Sequence, residues 1–516
     1  MIKIESDILG LLDFERLIFE GEKIGLSNTV LSRGKASFNF LKSFSKGKII
    51  YGVNTGFGPM AQHVISSVDL KKIQFNLIRS HCTGAGRSLP APYVKAAMIA
   101  RLNTLALGYS GVHESALTVL ISLINHDVTP LIFEHGGVGA SGDLVQLAHL
   151  CLVMIGEGEV YHNGELKPTK TVFDSLKIEP MQIHLREGLA VINGTSVMTG
   201  IGIINSRYAM RAIEWSVMAS AMIAQLVDSF DDYYSPELNS QKKHSGQQVV
   251  ATIIFDELKD SKCGRNREET VYKSSGLEEV LGEKLQEYYS IRCVPQVDGA
   301  ILDTVLSCRK VLEDELNSVN DNPVIDAENQ NVFHGGNFHG DYVSLEMDKL
   351  KTVITKLSML AERQINFLMN PALNDILSPF VNMGKLGLNF GLQGLQFTAT
   401  STTAENQMLS NPMYVHSIPN NNDNQDIVSM GTNAALVTKQ VIENAFEVLA
   451  IEMLSIVQAI EFTKKESRLS PNCKSIFTQV QKIFPPFIED KPMYQQMRIL
   501  KEFMMKENPA GKELFG

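Results

Sequence analysis

Ala140-Ser141-Gly142 can do chemistry that no ordinary side chain offers. The three residues lie in the glycine-rich stretch 134–149, at a tight turn that leads into an apolar helical run. A glycine amide nitrogen is the least hindered backbone nucleophile, so this turn can press Gly142 N onto the Ala140 carbonyl carbon and close a five-membered ring. Loss of one water at the ring and one from Ser141 leaves 4-methylideneimidazole-5-one, an electrophile made from the chain itself.

Two simpler interpretations of the same stretch compete with the covalent one. The first is a glycine-rich connection in which Ser141 or Asp143 caps the following helix. The second is a dinucleotide loop, since residues 137–142 fit the G-x-G-x-x-G fingerprint. The dinucleotide interpretation is disfavoured because Pro130 interrupts the preceding strand and because no alternation of strands and helices follows.

The composition of the 516-residue chain favours a small-molecule substrate. The net charge is -10 and no long run of Lys and Arg occurs, which disfavours nucleic acid and an anionic membrane surface as partners. The cysteines form no C-x-x-C pair, so neither a zinc site nor a disulfide framework is predicted. Because there is no signal segment and no window of uninterrupted apolar residues long enough to cross a membrane, we expect a cytoplasmic protein.

The spacing of apolar residues predicts a mainly α fold. Helices are expected, in chain order, at residues 8–19, 27–44, 93–107, 116–125, 197–227, 297–316, 341–370 and 432–469. The last two runs contain neither Gly nor Pro, and as single helices they would be about 45 to 60 Å long. Such helices predict a bundle whose apolar faces also bury against other copies of the chain.

The remaining segments are shorter. A short strand beginning at Lys48 is expected before the glycine-rich loop 51–59. Strand signals also occur at residues 159–162, followed by an Asn163-Gly164 turn, and at residues 187–192. The stretch 260–280 is interpreted as a polar linker. We predict two domains: residues 1–200, which hold the Ala-Ser-Gly element, and residues 201–516, which form the long-helix bundle.

The segment Gly139-Ala-Ser-Gly-Asp-Leu144 resembles the prosthetic-group signature of the aromatic amino-acid ammonia-lyases and aminomutases. Six further segments match this family in order and spacing over essentially the whole chain, namely residues 51–58, 192–195, 286–296, 320–323, 336–339 and 424–426. The chain is therefore identified as a member of the family. The resemblance implies the ammonia-lyase and fumarase-like superfold, the methylideneimidazolone (MIO) group formed from Ala140-Ser141-Gly142 without metal, pyridoxal phosphate or NAD, and a homotetramer with active sites shared between subunits.

The resemblance also implies a role for each matched residue. Tyr51 would be the base that removes the weakly acidic β-hydrogen, for which it must be a phenolate. Arg292 would bind the substrate carboxylate with its guanidinium fork. The residues implied to contact the prosthetic ring or the substrate are Gly58, Leu144, Asn193, Gln286, Tyr289, Phe338, Gln393, Glu405, Asn424 and Gln425. For each of them ordinary packing or capping is the alternative, and Asn320-Asp-Asn-Pro323 is interpreted as a helix stop.

The pair Ser80-His81 matches the position that faces the substrate ring in this family. Ser-His is common in histidine lyases, but the chain as a whole most resembles a bacterial subgroup of tyrosine ammonia-lyases that carries the same pair. Val145-Gln146 and Gln393 also depart from the histidine-lyase pattern. His81 can share a hydrogen bond with a phenol hydroxyl, and the imidazole of a histidine substrate could use it too. A pocket built for a phenol hydroxyl rejects phenylalanine. We therefore expect elimination of ammonia from L-tyrosine to give p-coumarate.

Several alternatives remain open from the sequence. Histidine ammonia-lyase, which forms urocanate, comes next, followed by phenylalanine ammonia-lyase and by a 2,3-aminomutase that returns ammonia to the β-carbon. A dinucleotide-dependent dehydrogenase is a distant enzymatic alternative. A helical scaffold without activity is disfavoured because it would need none of Tyr51, Ser141 and Arg292.

Overall fold

The computed structural model describes residues 1–5, 8–272, 284–509, 511 and 513–515. It is mainly helical, which confirms the predicted fold class. The α-helices are α1 (Leu11–Phe19), α2 (Asn28–Phe44), α3 (Leu70–His81), α4 (Ala91–Ala106), α5 (Glu114–Asn125), α6 (Leu144–Met154), α7 (Thr169–Leu176), α8 (Glu187–Ile192), α9 (Ser196–Leu226), α10 (Pro236–Asn239), α11 (Ser245–Lys259), α12 (Arg267–Thr270), α13 (Tyr289–Arg292), α14 (Val294–Leu316), α15 (Asp341–Met369), α16 (Pro371–Asn374), α17 (Gln393–Leu409), α18 (Gly431–Thr463), α19 (Pro471–Ile483) and α20 (Tyr494–Lys506).

The strands are short and form four small sheets. They are β1 (Ile2–Ile4), β2 (Ile24–Leu26), β3 (Ala85–Ser88), β4 (Thr129–Pro130), β5 (Phe133–His135), β6 (Glu159–His162), β7 (Glu165–Pro168), β8 (Val324–Asp326) and β9 (Asn331–Phe333). β1 pairs with β2 in parallel, whereas β3 with β5, β4 with β6, β6 with β7 and β8 with β9 are antiparallel. The β6–β7 hairpin turns at Asn163, which adopts a left-handed φ of 55°, and Gly164, as the sequence predicts.

The chain divides into two compact units. Unit 1 comprises Met1–Asn205, Cys308–Asp348 and Pro412–Thr438, and unit 2 comprises Ser206–Ser307, Lys349–Asn411 and Lys439–Gly516. The division into domains 1–200 and 201–516 stays a prediction. The part of the expected polar linker that follows residue 272 lies outside the described residues.

Helix α4 is the centre of unit 1. Every residue from Tyr93 to Ala106 is buried, including Lys95 and Arg101. A helix that is covered on all sides has no polar face, so each of its two cations needs a partner beyond the helix. The Lys95 ammonium reaches the exposed Asp127 carboxylate at 2.5 Å, and Arg101 is used in the wall of the site described below.

The long helical runs form where the sequence predicts them. The run 432–469 ends early, however, because α18 stops at Thr463 and Lys464 then adopts a left-handed φ of 56°, which terminates a helix. A short 3-10 helix, Glu466–Arg468, follows. Across the part of the chain that is described, no helix is long and apolar enough to cross a membrane.

Two predicted strands are wrong. The segment that begins at Lys48 forms turns, because the Asn54 side chain accepts a hydrogen bond from Ile50 N (2.8 Å) and donates one to Lys48 O (2.8 Å), in competition with strand pairing. Residues 187–192 form helix α8. A short apolar run suits a buried helix as well as a strand, and here the buried Glu187 carboxylate accepts hydrogen bonds from the backbone before the helix.

Candidate active site

The Ala-Ser-Gly turn (residues 138–143) is a tight reversal between β5 and α6. Gly139 and Gly142 have left-handed φ values of 77° and 68°, and Gly139 N donates to Gly142 O at 3.2 Å. Asp143 N donates to Gly194 O at 2.8 Å. A Cβ atom on Gly142 would lie 1.9 Å from Gly194 O, so only glycine fits at this position.

Two further segments that are distant in sequence hold the backbone of this turn. Val138 O accepts a hydrogen bond from Met430 N at 2.9 Å. Gly139 O accepts two, from Gly340 N at 3.0 Å and from the Ser429 hydroxyl at 3.1 Å. The turn therefore keeps its shape through bonds that no local sequence pattern provides.

The carboxylate of Asp143 fixes the exit of the turn. It accepts hydrogen bonds from Val197 N (2.8 Å) and Met198 N (3.0 Å) in the first turn of α9, and from the Thr432 hydroxyl. Complete burial raises the pKa of Asp143 to about 6, against the lowering effect of these donors. The N-terminus of α9 is a favourable place for this buried acid.

A cavity of about 470 Å³ lies against the turn, within unit 1. Nine residues predicted for the site line it: Tyr51, Gly58, Ser80, His81, Ser141, Leu144, Asn193, Asn424 and Gln425. Ala140 is buried, and Gly142 lines a smaller adjoining cavity together with His81 and Leu144. A pocket of this size suits an aromatic amino acid.

The tyrosine loop (residues 51–60) forms one wall of the cavity. Gly58 N donates a hydrogen bond to the Tyr51 phenol oxygen at 3.4 Å, and the Phe57 ring contacts the Tyr51 ring edge-on. The loop thus carries a candidate base with a backbone N–H directed at its phenol oxygen.

His81 ends helix α3 with one ring nitrogen already engaged. His81 Nδ1 lies 2.9 Å from Leu77 O and 3.1 Å from the Ser80 hydroxyl. A carbonyl oxygen can only accept a hydrogen bond, so Nδ1 carries the proton toward Leu77 O. In the neutral imidazole, Nε2 is then a hydrogen-bond acceptor.

Asn193 is held from behind by a buried ion pair. Its amide donates to Asp321 Oδ1 at 3.2 Å and to Asn322 O at 3.3 Å. The Arg186 guanidinium binds both oxygens of Asp321 at 3.0 Å, and both side chains are fully buried. The predicted helix stop at residues 320–323 therefore also supports the cavity wall.

Arg101 of α4 lies behind the same wall. Its Nη1 donates to Asn193 O at 3.0 Å, and complete burial lowers its pKa to about 10. A Cβ atom on Gly194 would lie 2.1 Å from this nitrogen, so the glycine allows the guanidinium to approach. Sequence reasoning missed Arg101, because a charged residue inside an apolar helix gives no sign of its partner.

Gln425 reaches the serine of the turn directly. Its amide nitrogen donates to the Ser141 hydroxyl at 3.0 Å. Asn421 and Asn422, which the sequence analysis did not select, line the cavity beside it. The signal was the polar run Asn420-Asn-Asn-Asp-Asn424, whose residue types tolerate left-handed backbone conformations.

The other predicted residues lie elsewhere. Gln286, Tyr289 and Arg292 line a pocket of about 560 Å³ in unit 2, where Arg292 stacks 4.6 Å from the Tyr289 ring centroid. Tyr289 is 71% exposed. On α17 of the same unit, Gln393 is half-buried, and the exposed Glu405 accepts a hydrogen bond from Asn444 at 2.7 Å. Phe338 is half-buried on the loop between β9 and α15 in unit 1.

The mainly helical fold is shared with solved structures of aromatic amino-acid lyases and aminomutases. The family model for aromatic amino acid lyases matches residues 9–482. The chain belongs to this family of enzymes, as the sequence analysis predicts. Within the described ranges there is no cluster of three or more His, Cys, Asp or Glu side chains that could hold a metal ion.

Similar proteins include both lyases and aminomutases. The chain is 38% identical over 465 residues to tyrosine 2,3-aminomutase of Myxococcus fulvus, covering 89% of this chain and 88% of the relative. It is 37% identical to a probable histidine ammonia-lyase of Thermoplasma volcanium, covering 98% and 99% of the two chains. The structure of the Pantoea agglomerans phenylalanine aminomutase matches with a TM-score of 0.95 at 31% identity, covering 99% and 100%.

Proposed function

We propose that this chain eliminates ammonia from L-tyrosine to form p-coumarate. The observation that carries the proposal is the orientation of His81, which lines the cavity and whose Nδ1 is engaged by Leu77 O, so that Nε2 of the neutral ring is an acceptor. A phenol hydroxyl is a donor that this nitrogen can bind, and phenylalanine has no such group. Phenylalanine would leave a polar atom of the pocket without a partner.

The residues around the turn fit the methylideneimidazolone group. Among the residues that the structure describes, none accepts a hydrogen bond from Gly142 N, so this nitrogen is available to attack the Ala140 carbonyl. The left-handed Gly142 and the bonds to Gly139 keep the turn bent. The group, once formed from residues 140–142, would supply an electrophile and electron sink for the elimination.

Other side chains of the cavity have the remaining roles in the proposed reaction. Tyr51 removes the β-hydrogen as a phenolate, which the Gly58 N–H stabilises. The Gln425 amide donates toward the turn, in the manner of an oxyanion site, and Asn193 lines the same cavity wall. His81 fixes the substrate ring, and Leu144 contributes an apolar surface.

We further propose that the carboxylate site comes from another copy of the chain. Gln286, Tyr289 and Arg292 line an open pocket of unit 2, and Arg292 Nε is buried with no hydrogen-bond partner among the described residues. A guanidinium in that state suits a bidentate carboxylate. A homotetramer with shared sites would supply this clamp, and Phe338, Gln393 and Glu405 would complete it.

The substrate proposal is tested by product analysis. Purified enzyme is given L-tyrosine, L-histidine and L-phenylalanine at equal concentrations, and p-coumarate, urocanate, cinnamate and β-tyrosine are quantified by chromatography. We expect p-coumarate to form fastest. Faster urocanate formation would assign the chain as a histidine lyase, and β-tyrosine as the main product would make it an aminomutase like several of its relatives.

Substitution of His81 tests the role of its ring. His81→Phe should lower the preference for tyrosine over phenylalanine by at least about 100-fold, because the acceptor is lost. His81→Gln keeps an acceptor and should retain the preference. An unchanged preference in His81→Phe would remove His81 from this role.

Peptide mapping tests the prosthetic group without any substrate. The wild-type peptide that contains residues 140–142 should lack the mass of two waters, and the same peptide of Ser141→Ala should not. An unmodified wild-type peptide in folded protein would overturn this part of the proposal.

Complementation tests the shared site. Tyr51→Phe and Arg292→Met chains should each be nearly inactive alone. If one subunit supplies Tyr51 and another supplies Arg292, coexpressed chains should regain activity at roughly a quarter of the sites, by random assembly. No recovery in proven mixed oligomers would place both residues of a site in one chain.

A further inference from the structure

Residues 420–425 form a left-handed turn beside the cavity. Asn421, Asn422 and Asp423 have φ values of 55°, 52° and 58° in succession. Asn420 N donates to Gln425 O at 3.1 Å, and Gln425 N donates to Asn420 O at 3.3 Å, which closes the turn. Three consecutive non-glycine residues in this conformation store strain, which is found mostly where function requires a fixed shape.

One end of the left-handed turn contacts the tyrosine loop. Gly58 itself has a φ of 52°, and a Cβ atom on it would lie 2.9 Å from Asn421 Nδ2. The Asn421 carboxamide therefore packs on the open face of Gly58. The N–H of the same glycine donates to the Tyr51 phenol oxygen. Asn421 thus contacts the residue that holds the candidate base.

The other end of the left-handed turn contacts the Ala-Ser-Gly turn. Gln425 donates to the Ser141 hydroxyl at 3.0 Å. Shortly after Gln425 the chain reaches Ser429 and Met430, which bond to the backbone of residues 138 and 139. One strained segment thus connects the two parts of the site that the proposed reaction needs in register.

We propose that the left-handed turn is the fixed latch against which the tyrosine loop closes, with Asn421 as a positioning residue that holds the Gly58 N–H on the Tyr51 oxygen. The catalytic consequence rests on the proposed function, since it requires Tyr51 to be the base. The packing of Asn421 on Gly58 does not depend on the substrate. Experiments can therefore refute the latch and the proposed function separately.

Hydrogen exchange of the tyrosine loop tests the latch itself. Asn421→Gly removes the contact with Gly58 and keeps a backbone that accepts positive φ. Asp423→Gly is the matched control, because it replaces a left-handed residue of the same turn (φ 58°) that lines neither cavity. We expect amides in residues 52–60 to exchange at least about tenfold faster in Asn421→Gly only. Equal exchange in the two variants would overturn the latch.

A third variant separates packing from chemistry. Asn421→Asp has the same shape and also tolerates left-handed φ, so it should keep slow exchange near the wild-type rate. Exchange as fast as in Asn421→Gly would show that packing on Gly58 is not what holds the loop, and the proposal would be wrong.

The pH profile of the reaction tests the consequence for Tyr51. With the substrate that wild-type enzyme turns over fastest, the acidic limb of kcat/KM should move to higher pH in Asn421→Gly, since the phenolate loses the Gly58 N–H as a donor. Asp423→Gly should keep the wild-type limb. A uniform fall in rate with no shift would contradict the positioning role, whereas an inactive wild type would refute only the proposed function.

Discussion

The Ala-Ser-Gly turn and the tyrosine loop line the same cavity but are held in opposite ways. The turn is bonded on both edges to segments around residues 194, 340 and 429, and its acid, Asp143, is fully buried. The tyrosine loop is held mainly by bonds within residues 50–65 and by the packing of Asn421 on Gly58. Its bond from Gly58 to Tyr51 is 3.4 Å long, and Met60 is 61% exposed. Local stability is therefore unequal across the site.

The difference matches what each part must do in the proposed reaction. Ring closure in the turn needs the chain to be compressed before any substrate arrives, so the turn must be rigid in the unliganded protein. The base must let a substrate enter and then cover it, which a weakly held loop permits.

Substitution of Gly142 should disrupt the Ala-Ser-Gly turn and prevent ring closure. In Gly142→Ala the new Cβ would meet Gly194 O, and the left-handed φ would be strained. We expect no loss of two waters by intact mass and at least about 1000-fold lower activity, because the electrophile supplies the main driving force. Gly137→Ala is the control, since its Cβ would meet only the Gln146 side chain. A dehydrated Gly142→Ala protein would contradict the prediction.

Removal of the cation behind Asn193 should destabilise the same wall. Arg186→Met leaves the buried Asp321 carboxylate without its bidentate partner, which costs about 3–5 kcal/mol in the free energy of unfolding. Urea denaturation measures the effect. Arg79→Met, which breaks the exposed pair with Glu157, should change stability by no more than about 1 kcal/mol. Similar losses in the two variants would show that burial does not matter here.

Substitution of Tyr51 in the tyrosine loop should lower activity and leave stability nearly unchanged. Tyr51→Phe should lower kcat/KM by about 10²–10⁴-fold, as expected for loss of a general base. Its free energy of unfolding should change by no more than about 0.5 kcal/mol, because the phenol makes only one long hydrogen bond. The two-water deficit should persist. A large loss of stability would mean that the loop is as firmly integrated as the turn.

A buried acid of unit 2 allows the pH dependence of stability to be separated from that of activity. Burial raises the pKa of Asp298 to about 7, and burial beside Asp298 raises that of Glu452. The pKa of Asp298 in the folded protein lies above its value in the unfolded chain. The contribution of Asp298 to the free energy of unfolding is therefore fully present below about pH 4 and is lost as the pH rises toward 7. Asp298→Asn should reduce this decline by roughly 1–3 kcal/mol and leave the pH profile of kcat/KM unchanged.

Two results with Asp298→Asn would contradict this prediction. If Asp298→Asn moved the acidic limb of the activity profile, global stability rather than the tyrosine loop would set the limb. An unchanged decline of stability between pH 4 and 7 would show that Asp298 is not the titrating group.

Sequence reasoning was most successful for the long helices. The run at residues 197–227 became α9 and the run at 341–370 became α15, because many turns of consistent periodicity leave little ambiguity. It failed at residues 187–192, where a short and mostly apolar segment cannot distinguish a strand from a buried helix. There the decision came from Glu187, whose carboxylate binds backbone N–H groups of residues 184 and 185.

The sequence by itself determined the chemistry that is available: a glycine nucleophile beside a serine, a tyrosine on a glycine-rich loop, and a Ser-His pair at the end of a helix. These follow from residue types and local spacing. Only the tertiary structure decided that Gly194 O closes over Gly142, that Arg101 and Asp321 support Asn193, and that Asn421 packs on Gly58. The partners in these contacts are separated by 50 to more than 350 positions in the chain, and their pairing depends on burial and hydrogen-bond satisfaction across the whole fold.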